Sequence, residues 1–483
     1  MLRASRIFAA DSGFRSAREF AGAFRADPGG PLHVSQVSRW EAGKTAAEGA
    51  VLGRYEQLLG LPPDTLAFAR EAAVRFSGEP VPYVSEHPLP TRAIHELLDK
   101  ARVPGAMSSS EWRRLTGMVS TMPGLFLHPP ELWREVAETL LNELVVAEHE
   151  AWFARQEAMS RLMQHPVGRD HAVRACIDLA EDRRSPVVIE PISLLDSVDH
   201  PAANRYVLEQ LAAPQNDQAL RGALLATMAK LRRGHYAAAQ QLRLIHAAAE
   251  LATIGDRTSG SLAGQLCEML ARPRLEATGP LSAEAVATGR RIALHAEAWL
   301  DRPASESDTV LGELISEALF SPNDDERLYA AGWIAASPLR TPVANAMLSF
   351  IKDARRENDD SALESGLRLL SRLRSTAHYP VVCAILRDRS VSVSARRSAA
   401  WALSHASGRI EQPTWRTIVQ IQRSLCVARP SPLNEEILRG LVYSIGTDGH
   451  RQLLAELSTD PTLPPRVRGL AAWWGERTVV SAG

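Results

Sequence analysis

From about residue 93 almost to the C-terminus, apolar residues recur at three- and four-residue spacing, and no series of alternating apolar and polar residues accompanies them. That period lines apolar side chains along one face of a helix and leaves strands no pattern to form from. The stretch ELWREVAETLLNELVVAEHEAWFARQEAMSRLM (131–163) is a long example and reads as one or two helices. The runs VPYV (81–84) and PVVIEPI (186–192) are the only strand-like pieces, and their prolines, which cannot donate to a sheet ladder, count against them. The expected fold class is all-α.

A chain of 483 residues is too long for one small core. Residues 1–76 are compact in pattern and break off at SGEPVPYVSEHPLPTR (77–92), where Pro80, Pro82, Pro88 and Pro90 exclude a continuing helix, so 77–92 is expected to be a linker. A helical connecting region over 93–160 follows. From 161 to 478 a looser regularity sets in: a polar or acidic turn, an Ala/Leu-rich helix, a short break and a second helix. Units are expected to begin near His165, Ala213, Pro322, Asp359, Val391, Ser431 and Thr462, clearest in SPNDDERLYAAGWIAAS, NDDSALESGLRLLSRLRS, SVSVSARRSAAWALSHASG and PLNEEILRGLVYSIGTDG. Spacing of about 35–40 residues is the period at which two-helix repeats stack into an α-solenoid. Ala330, Ala331, Ala399 and Ala400 suit close helix packing. These segments resemble HEAT or armadillo repeats.

Charge and cysteine usage narrow the chemistry. With 55 Lys+Arg against 56 Asp+Glu, the formal charge is −1, so any nucleic-acid contact must come from a local patch. Cys176, Cys267, Cys383 and Cys426 are far apart, with no CxxC pair and no His at ligand spacing, which argues for buried free thiols in a reducing cytoplasm rather than a zinc site or a disulfide framework. No stretch reaches the roughly 18 apolar residues of a membrane span. Gly43-Lys44-Thr45 lacks the phosphate-loop glycine, since position 38 is Ser, and His149-Glu150 lacks a second His, Phe153 standing in its place. Asp324-Asp325-Glu326 and Asp359-Asp360 precede predicted helices, where carboxylates favour the positive end of the helix dipole. No catalytic residue, metal ligand or cofactor is expected. The scattered Trp112, Trp133, Trp152, Trp333, Trp401, Trp473 and Trp474 are expected in the core or between repeats.

Function is legible only near the N-terminus. Residues 15–66 read RSAREFAGAFRADPGGPLHVSQVSRWEAGKTAAEGAVLGRYEQLLGLPPDTL. Val37 and Trp40, three apart, face a small core and leave Ser35, Gln36 and Arg39 on the opposite face. A helix with an exposed polar and basic face fits the major groove, where Gln and Arg match adenine and guanine edges. SQVSRWEAGKT followed by LGRYEQLLGLP resembles the helix-turn-helix of the XRE (Cro/C1-type) family of bacterial and phage repressors. The resemblance implies a recognition helix around 33–41, capped by His33, with Val34, Ser35, Gln36 and Arg39 reading bases. It implies DNA-backbone contacts for Ser16, Arg18, His33 and Lys44, and a structural Glu41 paired with Arg25 or Arg54. Two departures stand out. The connection AFRADPGGPLHV is about six residues longer than the family's tight turn, and the opening LRASRIFAA is poor in apolar residues.

Residues 1–45 carry seven basic side chains against four acidic ones, a local balance of +3. In the repeat region, residues 301–364 hold 13 acids against 6 bases, while 387–477 hold 13 arginines against 8 acids. Arg396, Arg397, Arg439, Arg466 and Arg468 are therefore candidates for a second basic surface. The resemblance implies a bacterial, non-enzymatic, sequence-specific transcriptional regulator that binds a double-stranded DNA operator as a homodimer. The chain would then be cytoplasmic and nucleoid-associated when bound, with the repeat surface open to a protein or peptide partner. The alternative is a helical-repeat interaction scaffold or ligand sensor whose N-terminal domain contacts protein instead of DNA.

Overall fold

The computed structural model describes residues 2–7, 9, 12–24, 32–77, 91–147, 149–182, 185–254, 257–271, 281–299, 309–373, 375–404 and 410–477. Among these the regular elements are all helical, which makes the chain all-α. The linker expected at 77–92 lies, over 78–90, outside the described residues, as does VPYV.

The N-terminal helices are α1 (Leu2–Ile7), α2 (Ala17–Ala23), α3 (Val34–Glu41), α4 (Gly49–Leu59) and α5 (Thr65–Ser77). Next come α6 (Thr91–Ala101), α7 (Ser109–Thr121), α8 (Glu131–Leu144), α9 (His149–Gln164), α10 (Arg169–Glu181), α11 (Ile189–Leu194), α12 (Pro201–Ala212), α13 (Asp217–Arg232), α14 (Ala238–Ile254) and α15 (Arg257–Ala271). The rest are α16 (Ala283–Ala298), α17 (Thr309–Phe320), α18 (Asp324–Ala335), α19 (Arg340–Glu357), α20 (Asp360–Arg372), α21 (Tyr379–Arg387), α22 (Val393–Ala402), α23 (Gln412–Ala428), α24 (Pro432–Thr447), α25 (Arg451–Thr459) and α26 (Pro465–Gly475). The long apolar stretch at 131–163 is two helices, α8 and α9. Of PVVIEPI, the part from Ile189 on is helical. Pro191 falls in the first turn of α11, where the amide has no intrahelical acceptor, so the proline that opposes a strand costs the helix little.

The chain forms two compact units, Met1–Ala69 together with Gly279–Val479, and Arg70–Thr278. In the first, α16 packs on α17 and α19, α17 on α18 and α20, and from there α20 meets α22, α22 meets α24 and α24 meets α26. Helices α21, α23 and α25 pack beside this row, against α22, α24 and α26. The expected unit starts fall just before α10, α13, α18, α20, α22, α24 and α26.

Side-chain caps fix several of these starts. Asn323 Oδ1 accepts from Asp325 N at 2.9 Å, Asp359 Oδ1 from Ala362 N at 3.0 Å, Ser392 Oγ from Ala395 N at 3.2 Å and Ser431 Oγ from Asn434 N at 3.1 Å. The acidic groups at 324–326 occupy the first turn of α18. Ala330, Ala331, Ala399 and Ala400 are buried. Glycine permits the closest approach, at Gly289 on α16: a Cβ there would stand 2.5 Å from the Gly312 carbonyl oxygen and 2.9 Å from the Ser316 nitrogen on α17.

The second unit buries charge. Arg155 and Glu143, both almost fully buried, pair at 3.0 Å, and Glu143 also accepts from the Trp112 indole at 2.8 Å and from Gly105 N at 2.8 Å. Glu71 pairs with Arg113 at 2.9 Å and Arg161 at 3.0 Å, and Asp196 with Arg75 at 2.6 Å and Arg233 at 3.2 Å. Lys230 donates to Val198 O at 2.6 Å and Asn204 Oδ1 at 2.7 Å, and burial pulls its ammonium down to about 8. Pairing offsets the desolvation that isolated charges would suffer.

Cys176 and Cys383 are buried, while Cys267 and Cys426 are half-buried; all four are free thiols. Trp112, Trp133, Trp415, Trp473 and Trp474 are buried. Among the described residues no group of three metal-ligating side chains converges, and no helix is long and apolar enough to cross a membrane.

Candidate functional site

A small aromatic core holds the N-terminal helices. Phe20 of α2 and Phe24 at its C-terminal cap, Val37 of α3, Leu52 and Tyr55 of α4, and Leu66 of α5 are buried together. Ring centroids lie 4.8 Å apart for Phe20–Tyr55, 5.3 Å for Phe24–Trp40 and 5.5 Å for Phe24–Tyr55. Val37 and Trp40 face this core, as their spacing requires. Trp333, on α18, packs against the same cluster, so a helix far along the chain supplies part of its cover.

Helix α3 is set at both ends. His33, extended at the N-cap, accepts through Nδ1 from Ser35 N at 3.2 Å, and Nδ1 lies 2.7 Å from Ser35 Oγ. Because Nδ1 accepts the amide, the Ser35 hydroxyl donates to it too, which leaves Ser35 an acceptor toward solvent and His33 an Nε2–H donor. At the other end the chain turns through Gly43 at φ +66°, a left-handed conformation that glycine adopts without steric cost, and Lys44 N returns to Arg39 O at 2.9 Å.

Among the described residues the charged partner of Glu41 is Arg6, not Arg54. Arg6 of α1 takes it in a two-pronged pair, Nε to Oε1 at 2.6 Å and Nη2 to Oε2 at 2.9 Å, with side chains 5% and 6% exposed. The third nitrogen of Arg6, Nη1, donates to Phe14 O at 2.9 Å and Arg15 O at 2.5 Å. Arg54 instead donates to Ala23 O at 2.8 Å and to Gln57, and Arg25 lies outside the described residues. The hydroxyl of Tyr55 reaches Glu41 at 3.4 Å; burial and that carboxylate both push the phenol up. Glu56 accepts from Asp64 N, Leu66 N and Ala67 N at 2.7, 2.6 and 3.3 Å and so ties α4 to the start of α5, while burial outweighs those amides and pushes its carboxyl up to about 7.

On the opposite face, Ser35 and Arg39 are exposed and Gln36 is half-buried. Val34 is also half-buried but packs partly against the aromatic core, so it offers less to solvent than Ser35. Ser16 caps α2, accepting from Glu19 N at 3.3 Å, and Arg18 and Lys44 are exposed. Most of the connection between α2 and α3, residues 25–31, lies outside the described residues. The Arg6–Glu41 pair removes one charge of each sign from the surface and leaves the local balance of +3 unchanged.

The second basic surface does not assemble as expected. Arg396 is buried, donating to Gln422 Oε1 at 2.8 Å and Val391 O at 3.2 Å, because it sits on the face of α22 that carries Ala395 and Ala399 inward. Arg439 is paired with Glu436, and Arg397 and Arg468 are half-buried, which leaves Arg466 exposed. Neighbouring arginines are also matched: Arg416 with Glu456 at 2.7 Å and Arg423 with Asp460 at 2.6 Å. The surplus of arginine at 387–477 is thus partly neutralised.

Sequence reasoning missed Arg6, and with it the anchoring of α3 to α1. A basic residue in an apolar-poor first helix, with a structural carboxylate still to be paired, was the available signal. Compared with protein-family models the chain has no match, and it has none among curated proteins.

Proposed function

We propose that the chain is a non-enzymatic, sequence-specific DNA-binding regulator whose N-terminal helices form a helix-turn-helix, with α3 entering the major groove of an operator. The observation that carries this is the division of α3. Its rear is fixed by Val37, Trp40 and the Glu41–Arg6 pair, while Ser35, Gln36 and Arg39 stand forward on a helix of rigid setting. Arg39 would match a guanine edge bidentately and Gln36 an adenine, with Ser35 accepting from a base amino group. Val34 would reach bases only by its outer methyl. Ser16, Arg18, the His33 Nε2–H and Lys44 would hold phosphates and fix the docking angle. Regulators that read operators this way commonly pair on two-fold sites, so a homodimer is the expected form. The row of stacked hairpins, a solenoid-like body on this reading, favours a protein or peptide partner for the remainder of the chain.

The test begins with selection of genomic fragments by the purified chain, followed by fluorescence anisotropy on the winning sequence and a scrambled control across a salt series. Arg39→Ala should weaken specific binding by about 1–3 kcal/mol and relax one operator position. Lys44→Ala should weaken both DNAs and lower the salt slope by about one. Equal, weak binding to selected and scrambled DNA, unaffected by Arg39→Ala, would refute the reading.

A further inference from the structure

A serine hydroxyl is ambivalent in recognition: it carries one proton and two lone pairs, and so pairs with a base carbonyl or a base amino group alike. At the start of α3 that freedom is gone. The amide of Ser35 can only donate, and it lies 3.2 Å from His33 Nδ1, so that nitrogen bears a lone pair and the ring proton sits on Nε2. The Ser35 hydroxyl is closer, its Oγ 2.7 Å from the same Nδ1, and of the two atoms only the hydroxyl has a proton to give. Ser35 Oγ, on an exposed side chain, is therefore left with lone pairs alone to offer a ligand. Arg39, exposed on the same face one turn further on, is its complement and can only donate.

We propose that His33 is a positioning residue for base recognition: by taking the Ser35 hydroxyl proton it restricts that side chain to bases that present an amino group in the major groove, adenine and cytosine. Guanine and thymine present only acceptors at the matching edge, and a carbonyl oxygen set against Ser35 Oγ would bring lone pairs together with no proton between them. This role rests on the helix-turn-helix reading and deepens it, because the residue that caps α3 also decides which bases the helix accepts. It fixes a place in the operator as well. Ser35 and Arg39 stand about 6 Å apart along the helix axis, less than two base-pair steps of about 3.4 Å. The adenine or cytosine met by Ser35 therefore falls within about two base pairs of the guanine met by Arg39.

Selection of genomic fragments by the full chain, repeated with Ser35→Ala, locates the operator position that Ser35 reads. Fluorescence anisotropy on the four single-base variants at that position should show adenine or cytosine favoured over guanine or thymine by about tenfold. His33→Ala should cut that ratio below about twofold, while the guanine of Arg39 stays selected, which shows that α3 still forms. His33→Asn, whose Oδ1 can accept from both the Ser35 amide and hydroxyl, should restore the ratio even though it lacks the Nε2–H donor and binds every DNA more weakly. In a Ser35→Ala chain, His33→Ala should change the ratio no further. Without DNA, nitrogen-15 NMR of imidazole-labelled chain should place the His33 proton on Nε2, the signal being identified by its loss in His33→Ala. A His33→Ala chain that binds all four variants more weakly in an unchanged ratio would make His33 a helix cap and nothing more. That result, a preference for guanine or thymine, a selection indifferent to Ser35→Ala or a proton on Nδ1 overturns the proposal. If no fragment is selected, the DNA reading fails and takes this role with it, whereas an operator that needs Arg39 and ignores His33 sinks this role alone.

Discussion

Replacing Arg6 by methionine should loosen α3 more than any change on its exposed face. Methionine fills much of the arginine's volume but donates nothing. The substitution removes both hydrogen bonds to Glu41, 2.6 and 2.9 Å long, and leaves that carboxylate, 6% exposed, beside the Tyr55 hydroxyl at 3.4 Å. It also strips a donor from the Phe14 and Arg15 carbonyls. Breaking one side of a buried ion pair costs about 3–5 kcal/mol, chiefly the desolvation of the charge left behind. At 1.4 kcal/mol per factor of ten, 3 kcal/mol corresponds to roughly 150-fold faster opening-limited exchange. Hydrogen–deuterium exchange followed on peptides covering 34–41 should show it, provided the wild-type helix is protected by at least that factor. Arg6→Met with Glu41→Leu, which removes both charges, should recover most of the protection. A change below about fivefold in the single variant, or a double variant that exchanges faster still, would show that the pair does not hold the helix.

The other expectations concern packing and pH. Gly289→Ala would drive a Cβ into the Gly312 carbonyl at 2.5 Å, so the thermal midpoint should fall by the equivalent of about 1–3 kcal/mol; an unchanged midpoint would mean that α16 and α17 can slide apart freely. Burial holds the His378 imidazole down at about 4. Its neutral form is favoured in the folded chain, so its contribution is intact above the ordinary pKa of about 6.5 and is lost as pH falls from there toward 4, by up to roughly 3 kcal/mol. Urea midpoints at two pH values spanning that window should therefore separate less in His378→Leu than in the wild type. Trp333→Ala should speed exchange in the α2–α4 peptides while sparing α22–α26; uniform acceleration would contradict a local role.

The helical period made the fold class and most helix starts legible, because capping and amphipathicity are written within a dozen residues. His33 as a cap, and the inward turn of Val37 and Trp40, belong to the same local information. What escaped was tertiary pairing. Arg6 and Glu41 are 35 residues apart, and no local pattern distinguishes Arg6 from the arginines nearer to Glu41. Arg396 reads as surface because arginine usually is; its neighbours Ala395 and Ala399, both small and buried, mark a face too crowded for solvent. The charge buried in the second unit had a fainter signature. Ala151, Ala154, Ala158 and Leu162 form one buried face of α9, so Arg155 and Arg161, at the edges of that face, had to find acids. On the candidate site itself, the residues were readable and their setting was not.

Trp333 bears on the order in which the molecule can be made. It covers a cluster whose other members lie between residues 2 and 67, yet it leaves the ribosome roughly 260 residues after them, a delay of about 13–50 s at 5–20 residues per second. For that interval the aromatic cluster of α2–α4 is finished except for one wall. A growing chain therefore passes through a long stage with α3 present but its support incomplete, and a chain broken off before α18 never leaves that stage. The first helices to be synthesised are among the last to reach their final surroundings.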